Sequence, residues 1–309
     1  MLADVVEHLI CPVCGDGLAL GERALRCPRG HAFDIAKQGY VSLLTGSQVP
    51  GTADSTAMVA ARDAFLGAGH FGPLADAVAD ACRTALRPED GSGTRTESGR
   101  ETEARAENGA GIRAGEVILD AGAGTGHYLA RVLDGLPYAA GIALDVSKHA
   151  IRRAARAHVR LGAVVADVWR PLPVRGGSAD VLLNVFAPRN GAEFARVLRR
   201  DGTLIVVTPT SRHLEPLVER LSLLSVDESK ERRVAESLSG HFTEAGWSAL
   251  EFPMSLDHAA VEAVVGMGPS AWHVDPEALR RRIAELPEIG EVLASFRMST
   301  FKPNQRARG

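Results

Sequence analysis

The stretch EVILDAGAGTGH, residues 116–127, joins an apolar run to glycines at every second position. The apolar run predicts a buried strand, and a helical pattern, HYLARVLDGL at 127–136, begins where the glycines end. Gly122, Gly124 and Gly126 let the backbone turn sharply and approach a ligand closely. Strand, glycine turn and helix in this order predict the first unit of a parallel α/β sheet, with a ligand at the carboxyl end of its first strand.

The chain beyond this stretch alternates short apolar runs with amphipathic helical patterns, which is typical of a parallel α/β sheet. The predicted strands are 139–147, 163–168, 179–186, 203–209 and 247–254, and the predicted helices are 148–158, 193–200 and 227–239. We expect 258–272 to supply a helix and the final strand. Upstream, 55–87 predicts two helices, broken by glycines and a proline between Leu66 and Leu74.

Acidic residues at the strand ends indicate which ligand the glycine turn holds. The spacing G-x-G-x-G lacks the last glycine position of the dinucleotide pattern, and Asp120 before the turn suits the positive sulfonium and amino groups of S-adenosylmethionine. Asp145 ends the second strand, where a carboxylate can accept hydrogen bonds from two ribose hydroxyls. Asp167 follows the third strand and is placed to meet the adenine amino group, although an aspartate there could equally cap a helix.

A cluster of metal-ligand residue types lies near the N-terminus. Cys11, Cys14, Cys27 and His31 have the spacing C-x2-C-x12-C-x3-H, in which each half can close on a metal from a tight turn. Three thiolates and one imidazole fill a tetrahedron around zinc, so the predicted site is structural. The alternative is three buried cysteines and a capping histidine, while Cys82 lies apart and is interpreted as core.

Composition and segment character divide the chain of 309 residues into four parts. We predict a zinc-binding module at 1–48, a helical connector at 49–87 that contributes to the cofactor site, a disordered polar insert at 88–115 and the α/β domain at 116–309. No apolar run is long enough to span a bilayer, so we expect a cytoplasmic protein without a membrane partner. The net charge of −3 neither supports nor excludes binding of nucleic acid.

The α/β part resembles the seven-stranded, Rossmann-like class I methyltransferases from about Ala53 to Trp272. The segments CPRGHAFDIAKQGYVSLL at 27–44, FLGAGHFGPL at 65–74, NVFAP at 184–188 and VVTPTSRHL at 206–214 narrow this likeness. With them the chain resembles the bacterial 23S rRNA (guanine-N1)-methyltransferase family, in the subgroup of the tylosin-resistance methyltransferase. The resemblance implies methylation of N1 of the guanine at position 748, in a 23S rRNA hairpin loop, and resistance to tylosin-type macrolides.

The same resemblance carries individual residues over. It implies that the two cysteine-containing segments bind zinc through the four residues named above, and that Phe71, Gly124, Thr125 and His213 contact the cofactor. Phe71 could instead be ordinary core, and His213 could be a surface residue.

The target base is expected at the segment after the fourth strand. Guanine N1 lies on the Watson–Crick edge, so the base must leave the helical stack before it can react. We predict that Asn184, Phe186 and Pro188 line the substrate pocket, with Phe186 stacking on the base and Asn184 binding its edge. Alternatively, Phe186 is core and Asn184 caps a turn. No residue is identified as the base that removes the N1 proton.

Other partners and functions stay open at this point. Phosphate contacts of the rRNA hairpin are expected from the basic residues of the zinc module, namely Arg23, Arg26, Arg29 and Lys37. A homodimer is left open by the sequence. The competing interpretations are a small-molecule methyltransferase, which has no evident use for the zinc module, and a zinc-dependent RNA-binding protein without activity.

Overall fold

The computed structural model describes residues 1–46, 53–87, 107–108, 112–113, 115–224, 230–273 and 275–304. Its small N-terminal part contains α1 (Leu2–Val5), a 3-10 turn (Val6–His8) and a three-stranded antiparallel sheet of β1 (Ala19–Leu20), β2 (Ala24–Arg26) and β3 (Ala32–Asp34). These strands are two or three residues long, and they could not bury a core of their own. This part of the chain therefore depends on other contacts for its stability.

An eight-stranded sheet forms the centre of the molecule, and its order is β12-β13-β11-β10-β7-β8-β9-β4. Its strands are β4 (Val41–Ser42), β7 (Val117–Ala121), β8 (Ala140–Asp145), β9 (Leu161–Val165), β10 (Ala179–Val185), β11 (Leu198–Pro209), β12 (Phe242–Asp257) and β13 (Ile289–Pro303). All pairs are parallel except those made by β13, which is antiparallel to both neighbours. Six of the seven predicted strands are present where the sequence places them, and the short strand β4 stands at the edge of the sheet.

Helices cover both faces of this sheet. They are α2 (Thr56–Gly67), α3 (Gly72–Leu86), α4 (His127–Asp134), α5 (Lys148–Ala154), α6 (Gly191–Val197), α7 (Leu217–Arg220), α8 (Lys230–Leu238), α9 (His258–Gly266) and α10 (Pro276–Ala284), with a 3-10 turn at Pro269–Trp272. Every residue of β7 and of β9 is buried, as expected for parallel strands covered on both faces. The α/β class predicted from the sequence is confirmed.

The C-terminal region differs from the sequence prediction. We expected the final strand within 258–272, but that segment forms α9 and the 3-10 turn. The final strand is β13, which the sequence analysis did not identify, and it inserts between β11 and β12. Its 15 residues are mostly partly exposed and lack strict alternation, so the strand is defined by its two partners and not by a local pattern.

The N-terminal part is joined to the large sheet by backbone pairing. Strand β4 pairs with β9, Leu9 forms a bridge with Val174, and the Ile10 N–H donates to the carbonyl of Pro173 at 3.1 Å. The predicted module at 1–48 thus contributes a strand to the sheet of the domain that follows.

Two further sequence predictions concern segments outside the sheet. Most of the polar insert at 88–115, which the sequence predicts to be disordered, lies outside the described residues. Near its end, β5 (Glu107–Asn108) and β6 (Ile112–Arg113) form a short antiparallel pair. Among the residues that the structure describes, no helix combines the length and apolar content needed to cross a bilayer.

Candidate functional site

The glycine turn connects β7 to α4 as the sequence predicts. Gly122, Gly124 and Gly126 all have positive φ, at 89°, 55° and 79°, in the region that favours glycine. A Cβ at Gly122 would lie 2.3 Å from Cβ of Ala187, and one at Gly126 would lie 3.1 Å from Ala154. The turn therefore requires glycine for its backbone conformation and, at Gly122, for its approach to the loop after β10.

Asp120 is a buried carboxyl group without a partner among the described residues. Its side chain is 1% exposed, and neither of its oxygens has a hydrogen-bond partner. Burial, together with the nearby charge of Asp145, raises the pKa of Asp120 to about 8. A buried acceptor that the protein leaves unsatisfied is suited to a positively charged ligand group, which would restore its ionised form.

Asp145 is held in a fixed orientation by the backbone. One carboxylate oxygen accepts a hydrogen bond from the Gly124 N–H at 2.9 Å, and the other accepts from the Ser147 N–H at 2.8 Å. Burial raises the pKa of Asp145, although both hydrogen bonds favour the carboxylate. Each oxygen keeps a lone pair for a further donor, so the group can receive two adjacent hydroxyls of a ribose.

Asp167 does not cap a helix, the alternative that the sequence left open, but it stabilises a turn and also reaches the same cavity. Its Oδ1 accepts from the Trp169 N–H at 3.0 Å in a turn, and its Oδ2 lies 3.7 Å from Nε of Arg170. Its side chain lines the cavity beyond the ends of the strands. The turn contact and a ligand contact are therefore compatible.

A cavity of about 740 Å³ opens at the carboxyl ends of the parallel strands, where the strand order reverses between β7 and β10. A volume in this range accommodates a nucleoside-sized ligand. Ten predicted site residues line it: Phe71, Asp120, Gly122, Gly124, Thr125, Asp145, Asp167, Phe186, Pro188 and His213. Gly126 is not among them, because it lies one step further along as the N-cap of α4.

Aromatic rings cluster at the cavity. The ring of Phe71 packs edge-on against Phe296 at 5.1 Å, and His213 lies 4.7 Å from Phe296, measured between ring centroids. The Nδ1 of His213 accepts a hydrogen bond from the Ser295 N–H at 3.3 Å. Phe71 is thus both core and cavity wall, and His213 is fixed at the cavity instead of projecting freely from the surface.

Asn184, which the sequence predicts to bind the edge of the target base, is held by backbone carbonyls in the structure. Its side chain is fully buried and does not line the cavity. Its amide nitrogen donates to the carbonyls of Ala121 at 3.0 Å and of Pro188 at 2.8 Å, so both amide hydrogens are used. Asn184 thus ties the loop after β10 to the end of β7, while its Oδ1 is buried and has no hydrogen-bond partner among the described residues.

Phe186 has a strained backbone conformation and an exposed side chain. Its φ is 55°, a value that bulky residues rarely adopt, and its side chain is 43% exposed at the cavity. The ring lies 5.4 Å from Phe296 and 6.4 Å from Phe71 between centroids. A large apolar ring held partly in solvent at the edge of a cavity is available to stack on a planar ligand.

Several further residues line the same cavity and carry little or no signal in the sequence. Trp169 and Trp272 are 62% and 52% exposed there, and no local pattern distinguishes them from other surface aromatics. Arg62 forms an ion pair with Asp54 and donates to the carbonyl of Met267 at 2.9 Å. Arg189 also lines the cavity, and its position directly after NVFAP was the available signal.

The four predicted metal ligands come together in the N-terminal part. One ligand atom from each of Cys11, Cys14, Cys27 and His31 lies within 4.8 Å of all the others. The Cys14 and Cys27 sulfurs are 3.7 Å apart, close to the separation of about 3.8 Å that two sulfurs have around tetrahedral zinc. Nδ1 of His31 lies 3.3 Å from the Cys27 sulfur. The donor set and its dimensions fit a closed zinc site.

The cavity likewise fits S-adenosylmethionine. Asp120 offers an unsatisfied carboxyl group, Asp145 offers two oriented oxygens, and the glycine turn leaves room for close approach. Residues 118–202 match the family model described as a methyltransferase domain, and residues 9–47 match the model of the RlmA N-terminal zinc ribbon. Fold and sites define an S-adenosylmethionine-dependent methyltransferase with a zinc ribbon.

Comparison with known proteins narrows this class. A 23S rRNA (guanine(748)-N(1))-methyltransferase of Streptomyces fradiae is 47% identical, over 98% of this chain and 99% of the relative. A Micromonospora griseorubida protein provisionally named a 23S rRNA (guanine-N(1)-)-methyltransferase is 50% identical, over 98% of this chain and all of the relative. The provisionally named relative YxjB of Bacillus subtilis is 31% identical, over 90% of each chain. The chain belongs to the 23S rRNA (guanine-N1)-methyltransferase family.

Proposed function

We propose that this enzyme methylates N1 of guanine 748 in a hairpin loop of 23S rRNA and thereby confers resistance to tylosin-type macrolides. The likeness to the Streptomyces fradiae enzyme named for that nucleotide supports the position. The observation that carries the proposal is Phe186, an exposed ring with φ of 55° at the cavity that contains the cofactor-binding carboxylates. This ring can stack on a base that has left its helix.

The cofactor side of the cavity is assigned from its polar groups. Asp145 binds the ribose hydroxyls, Asp167 meets the adenine amino group, and Asp120 attracts the positive amino and sulfonium end. Gly124 and Thr125 line the turn beneath the ligand. When bound, S-adenosylmethionine supplies an electrophilic methyl group on its sulfur.

The protein accelerates the transfer mainly by positioning. Phe186 and Pro188 hold the base on the side of the cavity formed by the loop after β10. The carboxylates after β7, β8 and β9 fix the cofactor on the other side. Holding two reactants in line converts a bimolecular encounter into a reaction within one complex, which removes an entropic part of the barrier.

The N-terminal part is proposed to bind the rRNA hairpin. Arg23, Arg26, Arg29 and Lys37 are all exposed there, and Arg29 also pairs with Asp16 at 2.8 Å. Side chains of this kind contact phosphates and orient the nucleic acid without reading its sequence. We propose residues 1–48 as the RNA-recognition module, 49–87 as a helical connector that completes the cofactor site, and 116–309 as the methyltransferase domain.

Labelling of RNA tests the substrate. Purified protein with radiolabelled S-adenosylmethionine should label unmodified 23S rRNA, and nuclease digestion should yield 1-methylguanosine. Replacing guanine 748 by adenine should abolish labelling, because adenine N1 carries no proton and its edge offers a different donor pattern. Expression in a sensitive host should raise the inhibitory concentration of tylosin. A methylated small molecule, or 7-methylguanosine as the main product, would contradict the proposal.

A pair of aromatic substitutions tests the stacking role. Phe186→Ala should lower turnover by raising the activation free energy by about 1–3 kcal/mol, the range for loss of one base–aromatic stack. The affinity for the cofactor should be unchanged. Trp247→Ala is the matched control, because Trp247 is 60% exposed on β12, packs under Arg297 and does not line the cavity. Equal losses in the two variants would remove the support for Phe186.

A further inference from the structure

Arg189 presents an unusual charge to the cavity. It follows Pro188 in the loop after β10, directly before Asn190, which caps α6. Its Nη1 donates to the carbonyl of Ala187 at 3.2 Å, whereas its Nε is buried and has no hydrogen-bond partner. Within the described part of the chain, no carboxylate pairs with this guanidinium. Arg189 is only partly buried, but a buried guanidinium N–H without an acceptor is costly, so its place at a binding cavity suggests a ligand that accepts from it.

Charges are divided across the cavity. Asp120, Asp145 and Asp167 follow β7, β8 and β9, on one side of the point where the strand order reverses, and Arg189 follows β10 on the other. Two other arginines line the cavity: Arg62, whose charge is balanced by Asp54, and Arg233 on α8. Burial lowers the pKa of Arg189, but a guanidinium still remains charged at any physiological pH. The carboxylates suit the cofactor, which leaves Arg189 on the side where the base is received.

We propose that Arg189 is a catalytic residue that donates hydrogen bonds to O6 of the target guanine and stabilises the negative charge that forms when N1 loses its proton. This inference rests on the proposed function, since it concerns the same base at the same site. It also accounts for the lack of an evident general base, because a stabilised anion can form by release of the proton to water.

The reaction begins at N1 of the guanine. The N1–H bond breaks and its proton goes to solvent, while the electron pair stays on the base and its charge is shared between N1 and O6. That pair then forms the bond from N1 to the methyl carbon as the bond from carbon to sulfur breaks, and the electrons of the broken bond remain on sulfur. O6 returns to a carbonyl and the sulfonium charge is lost. Arg189 is needed most while O6 carries charge, which is the condition for catalysis.

The same contact would select guanine over adenine. Arginine donates to an acceptor at O6, and adenine presents an amino donor at that position, so the two donors would oppose each other. Charge on Arg189 therefore contributes to both rate and base choice. Two observations support this assignment: the buried, unpartnered Nε and the neighbouring stacking ring of Phe186.

Other groups on the cavity wall also respond to pH or carry charge. His127 and His213 are imidazoles there, and Asp120 is the buried acid described above. The remaining charged or titratable groups that line the described cavity are Asp54, Arg62, Tyr128, Asp145, Asp167 and Arg233. Their protonation would add inflections that are common to the wild type and to the Arg189 variants. The difference between the pH–rate profiles therefore reports the ionisation of guanine N1.

The test is the pH profile of single-turnover methylation at saturating cofactor. We expect Arg189→Gln to move the alkaline inflection of the rate upward by at least about one pH unit, which lowers the rate at neutral pH about tenfold and restores much of it as pH rises. Arg189→Lys keeps the charge but loses the planar donor pair, so its alkaline inflection should lie between those of the wild type and Arg189→Gln. Arg280→Gln is the matched control and should behave as the wild type, because Arg280 is an exposed arginine of α10 that pairs with Glu262 of α9 and does not line the cavity.

The outcomes separate the inference from the proposed function. A uniform loss of rate in Arg189→Gln with an unshifted inflection would overturn the catalytic role. A parallel loss of affinity for S-adenosylhomocysteine would place Arg189 at the cofactor and also overturn it. A wild-type product other than 1-methylguanosine would overturn both proposals, whereas 1-methylguanosine with unchanged variant profiles overturns only this one. Thermal unfolding of all variants confirms that they are folded.

Discussion

Replacing Gly122 with alanine should destabilise the protein through a contact that the structure specifies. Gly122 has φ of 89°, and a Cβ built there lies 2.3 Å from Cβ of Ala187, where carbon atoms ordinarily approach to about 3.5–4.0 Å. The left-handed backbone costs alanine about 1–2 kcal/mol. Relief of the overlap requires a backbone shift of the kind that costs about 1–3 kcal/mol. We therefore expect Gly122→Ala to lower the free energy of unfolding by about 2–5 kcal/mol.

Gly240 offers a matched control for the backbone contribution. Its φ is 79°, but nothing lies within 4 Å of a Cβ built on it, so Gly240→Ala should lose only about 1–2 kcal/mol. Ala187→Gly should rescue Gly122→Ala, because the nearest remaining atom is then Cα of Ala187 at an ordinary 3.6 Å. Urea unfolding followed by circular dichroism gives each free energy, and the double-mutant cycle gives the coupling between the two sites. A coupling near zero, or equal losses at Gly122 and Gly240, would refute the reasoning.

Three further substitutions test the two sites. Cys27→Ser should release zinc, as measured by metal analysis of reduced protein, and should abolish rRNA methylation. The affinity for S-adenosylhomocysteine should stay within about tenfold of the wild type, because no described residue of the ribbon lines the cavity. Retained zinc would contradict this prediction. Asp145→Ala should weaken cofactor binding by about 1.5–3 kcal/mol in calorimetry, the range for hydrogen bonds to a charged group, and unchanged affinity would remove the ribose assignment. The carboxyl group of Asp120, with its pKa raised to about 8, binds a proton at neutral pH in the free protein, so cofactor binding should release a proton and strengthen as pH rises toward 8. Asp120→Asn should abolish that dependence, as measured by calorimetry in buffers of different ionisation enthalpy.

The raised pKa of Asp120 also makes the free energy of unfolding depend on pH. Asp120 binds its proton more tightly in the folded chain than in the unfolded one, because folding buries it. Its contribution therefore favours folding least at high pH: the free protein should lose stability as pH rises from the ordinary aspartate range toward 8. A bound cation at this carboxylate would offset the loss.

Residues that act through local spacing were predictable. The glycine turn after β7 has the required positive φ values, and the three cysteines and one histidine meet as their spacing indicates. Asp145 and Asp167 could be placed because the carboxyl ends of parallel strands meet at one edge. In each case the relevant interaction lies within a few residues or follows from strand direction alone.

Burial and partner choice were not predictable in the same way. Asn184 has the residue type of a base-binding group, but the carbonyls of Ala121 and Pro188 use both of its amide hydrogens. In the sequence only its place after NVFAP distinguishes Arg189 from other arginines, and the folded loop is needed to show that its Nε is buried without a partner. Whether a polar group is satisfied depends on atoms far along the chain, which no local pattern records.

The sequence by itself thus determined the alternation of strands and helices, the glycine turn and the metal ligands, because hydrophobic period, backbone freedom and ligand spacing are local properties. Only the tertiary structure decided that β13 enters the sheet between β11 and β12, that β4 of the zinc-bearing part extends it at the other edge, and that the carboxylates and Arg189 line one cavity. Those outcomes depend on pairing and desolvation between distant segments, whose free energies exist only once the chain has folded.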